Sequence, residues 1–395
     1  MHAWGCSNKQ SAVHALGHAT ARAMLQMRQR CARNVRCAVH ATYKQSYKLA
    51  GDIVDTQVML GHGSGGSMMK RIIDEVFFEA YAGEELLQGN DAASLPLPSV
   101  QDGQRLAFST DSFVVTPHFF PGGDIGHLAV CGTVNDVATS GAKPLYLSCG
   151  FILEEGYPIA DLKRICASMA QVAKEAGVHI VTGDTKVVNK GHGDGVFINT
   201  SGVGVIPAGV NLGGQYCKPG DKVLVSGTLG DHGICIMSQR ENLGFFADIE
   251  SDAAPLNGLI ANVLEAAPNT RCFRDPTRGG LASTLNELAA QAQVSITVNE
   301  EEIPVRDAVR GACEMLGYDV LQVANEGKMV CVVAPEEAQA ALAAMKESKY
   351  GENAAIIGEV SQMNAEQGPR VYLKTAFGAT RILDMLVGEQ LPRIC

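Results

Sequence analysis

A glycine- and proline-rich stretch, residues 207–220, interrupts an otherwise regular alternation of strand-like and helix-like segments. Each side of that break must close a core of its own, and 395 residues is more than one ordinary core organises. The expectation is an α/β (α+β) chain with a first domain over residues 51–206, a linker over 207–220 and a second domain over 221–386. A basic leader, residues 1–50, precedes them, and a tail, residues 387–395, follows.

In the first half, Met68, Met69, Ile72, Ile73, Val76, Phe77 and Ala80 recur at helical spacing. Arg105 to Val115 reads as a strand interrupted by Thr110, Asp111 and Ser112. A helix follows at 124–139, then a strand from Pro144 to Leu153. Pro158 is placed to be the first residue of the next helix, and Gly177 to end it. Strands at 179–188 and 196–206 complete a helix followed by β-α-β-α-β-β. In the second half a short buried strand after Asp221 runs into a glycine turn carrying Asp231 and His232. Helices are expected at 254–266, 279–292, 306–316 and 335–347, with strands at 294–298, 329–334, 355–360 and 370–373.

The net charge is −10, yet the first 51 residues hold eight Lys and Arg and no acid, which leaves −18 on the remainder. An acid-free, Arg-bearing leader without a secretory apolar core resembles an organelle transit peptide or a non-native N-terminal extension. The acidic main body excludes a nucleic-acid partner, and no apolar run reaches the ~20 residues that span a membrane. Twelve cysteines form no Cys-x-x-Cys pair. Cys131, Cys149, Cys166, Cys235 and Cys331 sit in apolar runs and read as core residues of a reducing, cytoplasmic setting. Cys395 is the exception, in a polar and mobile setting after Pro392. Nine extended residues reach at most ~30 Å, enough to carry its thiol into a cleft. The α-carboxylate beside it is expected to raise its pKa.

Two kinds of feature carry chemistry. The turn Gly61-His62-Gly63-Ser64-Gly65-Gly66 feeds a helix, so its backbone N–H groups are placed for an anion; it lacks the Gly-Lys-Ser/Thr ending of a Walker A loop. Asp111, the pair Asn135 and Asp136, and Asp184 sit at strand or helix ends beside Gly, Ser or Thr. Hard oxygens of this kind suit Mg²⁺ bridging to substrate phosphates. Lys186, two residues after Asp184 and on the same side of the strand, can neutralise charge developing in phosphoryl transfer. Glu326, in the loop before a strand, is placed to take a proton or hold a polar group, although a solvated loop acid is the plainer reading.

Together these residues resemble the hydrogenase expression/formation proteins of the HypE family. That family belongs to the superfamily of aminoimidazole ribonucleotide synthetase, thiamine monophosphate kinase and selenophosphate synthetase. The resemblance runs from about Asp55 to Cys395. It rests on His62-Gly-Ser-Gly-Gly66, Phe108-Ser-Thr-Asp111, Phe120-Pro-Gly-Gly123, Thr133-Val-Asn-Asp136, Thr182-Gly-Asp-Thr-Lys186, Gly227-Thr-Leu-Gly-Asp-His-Gly233, Arg274-Asp-Pro-Thr-Arg-Gly-Gly280 and Asn325-Glu-Gly-Lys328. The closing Pro392-Arg-Ile-Cys395 selects this family within the superfamily.

The resemblance implies that Cys395 receives a carbamoyl group from a carbamoyltransferase, that ATP with Mg²⁺ drives its dehydration to a thiocyanate, and that the cyanide passes to iron on a scaffold complex for [NiFe]-hydrogenase. By position it makes Cys395, Lys186 and Glu326 catalytic, and Asp111, Asp136 and Asp184 metal ligands. It assigns Gly63, Ser64, Gly65, Gly66, Asn135 and Asp231 to the nucleotide, and pairs the first domain's sheet across a homodimer. Two alternatives stand beside it: a small-molecule kinase or amide-activating synthetase of the same superfamily, and a non-catalytic carrier of a modified cysteine.

Overall fold

The computed structural model describes residues 55–63, 68, 71–81, 102–241, 248–385 and 394–395. The leader, Ser64, Gly65, Gly66 and most of the tail lie outside the described residues.

Strand β1 (Arg105–Phe113) is followed by a small hairpin, β2 (Phe119–Phe120) and β3 (Gly123–Asp124), and then helix α1 (Ile125–Thr139). Asp124 starts that helix by accepting from the N–H groups of Gly126 and His127. Strand β4 (Lys143–Glu154), helix α2 (Ile159–Ala176), and strands β5 (His179–Val188) and β6 (Val196–Ile206) complete this half. The sheet order is β1-β6-β4-β5, antiparallel except for β4 with β5, where α2 makes the crossover. Pro158 is the N-cap of α2 and not its first helical residue, and Gly177 ends the helix as expected. The helix expected around Met68–Ala80 is present, but Ile73–Phe78 is wound as a π-helix, with Phe77 stacked on Phe151.

The second half contains β7 (Lys222–Val225), α3 (Asp231–Arg240), α4 (Asn257–Ala266), β8 (Thr270–Arg274), α5 (Gly280–Ala292), β9 (Ser295–Asn299) and α6 (Asp307–Leu316). It continues through β10 (Val330–Val333), α7 (Ala338–Glu347), β11 (Ala355–Ser361), β12 (Arg370–Lys374) and β13 (Thr380–Ile382). Seven strands lie in the order β13-β12-β9-β11-β7-β10-β8. Alternation along β7 shows how the sheet fills. Val223 and Val225 pack with Leu281, Leu285 and Leu288 of α5 on one face. Leu224 packs with Leu259, Val263 and Met345 of α4 and α7 on the other. Two strands, β8 and β13, were not expected. β8 was hidden by Arg271 and Arg274, which turn outward; Arg271 pairs at 3.1 Å with the buried Asp221.

Helix α1 joins the halves. It is buried nearly all round because one side covers the first sheet while Ala138 enters the apolar cluster beneath α4. The opposite face of the first sheet is open. Leu106, Phe108 and Ile152 are 61%, 72% and 45% exposed there.

Candidate active site: a carboxylate cleft holding Cys395

Alternation along β1 sends Ser109, Asp111 and Phe113 toward α1 and leaves Phe108 on the open face. The Ser109 hydroxyl donates to Asp136 at 2.8 Å, and the Ser112 N–H donates to Asp111 at 2.7 Å. Burial raises the Asp111 carboxyl above its ordinary range. Asp136 is pushed up to about 6, by burial first and then by the neighbouring charge of Asp275. Glu326 is raised well above the usual range, by burial first and then by Asp275, Asp252, Asp111 and Asp136. Its Oε1 is buried without a hydrogen-bond partner. Five carboxylates therefore share one cleft, with too little positive charge among them.

Backbone packing builds the far wall of the cleft. A β-carbon on Gly327 would lie 1.7 Å from the Asp252 carbonyl, so only glycine lets the segment around Asp252 run against the Glu326 loop. Asp252 then accepts from the Glu326 N–H at 3.0 Å, with Lys328 Nζ 3.7 Å from its other oxygen.

Cys395 lies in this cleft. Its terminal carboxylate accepts from the Val114 N–H at 3.0 Å, just past the end of β1. Ile394 is buried. For the cysteine expected in a polar, mobile setting, the structure shows a partly buried thiol beside a buried Ile394. The thiol is pushed up to about 12, by burial first and then by Glu326, with Arg278 opposing and Asp111 adding. The direction matches the expectation, but the causes are burial and the cleft's carboxylates.

The other expected site residues fall elsewhere. Asn135 is buried with its amide engaged: Nδ2 donates to the carbonyls of Ala254 and Glu326 at 3.0 and 3.4 Å, and Oδ1 accepts from the Leu256 N–H at 2.7 Å. It fixes the Glu326 loop against α1. Asp231 starts α3 and is bound by Arg306 and Thr228. Asp184 and Lys186 form a 2.6 Å ion pair, both more than 60% exposed. The Lys186 hydrogen bonds hold the Asp184 carboxyl below its ordinary range. This pair lies in a pocket of ≈ 380 Å³ on the open face of the first sheet, with Ser112, Gly150 and Asn199. Asp184 is therefore separate from Asp111 and Asp136. Val114, whose N–H holds Cys395, also lines this pocket, so the two regions adjoin. Gly63 closes a short turn, Leu60–Gly63.

Among the described residues, no three His, Cys, Asp or Glu side chains converge to hold a metal alone. Asp111 and Asp136 are nonetheless suited to a divalent cation: half-buried hard oxygens with like charge nearby. Asp252, Asp275, Arg278 and the Val114 N–H were not anticipated. Asp275 and Arg278 lie in a motif singled out in the sequence, but the residues that flank Cys395 come from distant segments.

Comparison with known proteins places most of the chain beside one family. The family pattern "AIR synthase related protein, N-terminal domain" matches residues 89–206, and its C-terminal counterpart matches 218–368. The carbamoyl dehydratase HypE of Azotobacter vinelandii is 55% identical over 344 residues, 87% of this chain and 99% of that protein. A crystal structure of the hydrogenase maturation protein HypE in complex with ATP superposes with a TM-score of 0.81 at 50% identity, covering 85% of this chain and 99% of that one. A HypE–HypF complex gives 0.69 at 50% identity, covering 80% and 99%.

Proposed function

Because the chain belongs to the HypE family of carbamoyl dehydratases, we propose that it dehydrates a carbamoyl group carried as a thiocarboxamide on Cys395. The product is a thiocyanate, the source of cyanide for the iron of a [NiFe]-hydrogenase. ATP is the second substrate. The observation that carries this reading is the chain end seated against β1, where the Val114 N–H donates to Cys395 at 3.0 Å and Ile394 is buried.

The amide oxygen of the thiocarboxamide is a poor leaving group. Its attack on the γ-phosphorus of ATP releases ADP and converts it into a phosphate ester. One N–H proton is lost as the O–P bond forms and the second as the C–O bond breaks, leaving S–C≡N and inorganic phosphate. Glu326, with a free buried oxygen, is the acceptor for the amide proton. Burial and the neighbouring carboxylates raise its pKa, which favours its taking up a proton. Mg²⁺ held by Asp111 and Asp136 would neutralise phosphate charge. Asp184, already paired with Lys186, is left out of this pair of ligands. Lys186 lies beside the Val114 anchor and is assigned to hold the thiocarboxamide and its developing charge.

The open sheet face is assigned to a homodimer. Covering Phe108 and Leu106 stabilises by about 1.5–3 kcal/mol per side chain, and the Lys186 pocket on that face would then be completed by the second copy. A carbamoyltransferase partner is supported by the HypE–HypF complex among the structural relatives; an iron-carrying scaffold and a cytoplasmic setting complete the proposal. The test is single-turnover phosphate release. The carbamoylated protein should release one phosphate per Cys395 and Cys395→Ser none; steady ATP hydrolysis by Cys395→Ser on a small molecule would favour a kinase or synthetase.

A further inference from the structure

His232 is fully buried at the start of α3, within the Gly227–Gly233 turn, and so far has no role. Its Nε2 lies 2.9 Å from the Ile394 carbonyl oxygen, and its Nδ1 lies 2.8 Å from the Ser251 hydroxyl. The carbonyl can only accept, so Nε2 carries the hydrogen. Burial holds the imidazole pKa below its ordinary value, so the ring is neutral and Nδ1 is an acceptor. The Ser251 hydroxyl therefore donates to Nδ1, while its oxygen accepts from the Ala253 N–H at 3.2 Å. The relay fixes one tautomer and aims one N–H at the carbonyl preceding Cys395.

The relay is itself supported by the Phe120-Pro121-Gly122-Gly123 motif, another feature the reaction has not yet used. The Phe120 ring meets His232 edge-to-face at 5.7 Å. The Ser251 N–H donates to the Pro121 carbonyl at 2.9 Å. A β-carbon on Gly122, whose φ is +85°, would lie 2.8 Å from the Ser251 carbonyl, so glycine allows the turn to press Ser251 beneath the imidazole.

We propose that His232 is a positioning residue for the dehydration: with the Val114 N–H it clamps two consecutive acceptors, the Ile394 carbonyl and the Cys395 terminal carboxylate, so that only side-chain rotation remains to aim the modified sulfur at Glu326. The two anchors come from opposite halves of the molecule. One is the end of β1 and the other the start of α3, so the chain end bridges the two. A thiocarboxamide lengthens the side chain but leaves both clamped oxygens unchanged, so the same clamp serves Cys395 before and after modification. This inference rests on the function proposed above.

The test compares the wild type with His232→Phe, His232→Gln and Ser251→Ala, each carbamoylated on Cys395 by the carbamoyltransferase before mixing with Mg·ATP. Phe keeps the packing against Phe120 but loses the donor; Gln keeps an N–H near the Nε2 position. The expected single-turnover dehydration rate falls about tenfold in His232→Phe, the loss of one net hydrogen bond, and about threefold in Ser251→Ala, where the tautomer is freed. His232→Gln recovers most of the rate, and ATP affinity stays within about twofold in all. A thiol-alkylation rate at unmodified Cys395 that rises in His232→Phe and returns in His232→Gln reports seating independently of catalysis. Equal rates and equal alkylation in all four proteins would overturn the clamp, as would a His232→Gln defect as large as that of Phe. If His232→Phe does not fold, Ser251→Ala and His232→Gln decide by the same criteria. Failure of the wild type to dehydrate would instead refute the proposed function.

Discussion

Replacing Asp136 by Asn is expected to stabilise the nucleotide-free protein while weakening its binding of Mg·ATP. Burial and the Asp275 charge lift this carboxyl from an ordinary 3.8 to about 6. A folded-state pKa above the unfolded one means the folded state holds its proton more tightly. Stability from this group is present below the unfolded value and lost as pH rises through about 6. At pH 8 the charged form therefore costs up to ~3 kcal/mol, and ~1–3 kcal/mol once solvent screening of a half-buried carboxyl is allowed for. Asn retains an acceptor for the Ser109 hydroxyl, so little is lost in exchange. Thermal unfolding without nucleotide should give a midpoint roughly 2–5 °C higher than wild type at pH 8, with about a third of that gap left at pH 4.5, just above the unfolded value. Titration calorimetry at pH 8 should show Mg·ATP affinity reduced by at least ~10-fold, the loss of one carboxylate ligand. A variant less stable at pH 8, with unchanged affinity, would refute the reading of Asp136 as a strained, cation-seeking group.

Mg·ATP affinity of the wild type should fall as pH drops through about 6, because protons compete with the cation at Asp136, and binding near that pH should release protons, seen as a buffer-dependent enthalpy. Asn135→Ala removes a buried amide that holds three backbone groups, including the Glu326 carbonyl; denaturant unfolding should show a loss of about 2–4 kcal/mol. Phe108→Glu places a charge on the open sheet face and should convert a dimer to a monomer in analytical ultracentrifugation, with the folded core intact.

Much of the first half was legible because its signals are local. The polar break at Asp111 marks a strand whose one face meets α1 and whose other face is open. Gly177 stops α2 where the periodicity stops. The buried cysteines read as core residues, and those described in the structure are buried, Cys395 excepted. The second half was legible in its helices but not in its edge strands, since β13 is exposed at every residue and β8 is flanked by arginines.

In the site, residue type singled out Asp111 and Asp136, whereas Glu326 read as a solvated loop acid and only the resemblance made it catalytic. Residue type says nothing of the partners of Asn135, whose amide bonds backbone groups more than a hundred positions away, or of Asp231, which pairs with Arg306. Nor could it find Asp252, which reaches Glu326 only because Gly327 allows the backbones to touch. Local pattern reports the chemistry a residue can do; partners brought from far along the chain decide which of it is used.

The central claim is that the carbamoyl group is dehydrated on Cys395 itself. Intact-mass measurement tests it most directly, with the protein incubated with carbamoyl phosphate, ATP, Mg²⁺ and the carbamoyltransferase. The account predicts one carbamoyl adduct on the peptide ending in Cys395, followed by loss of one water that requires ATP hydrolysis in the same cleft. An adduct that never loses water, or one that forms on another residue, would contradict it.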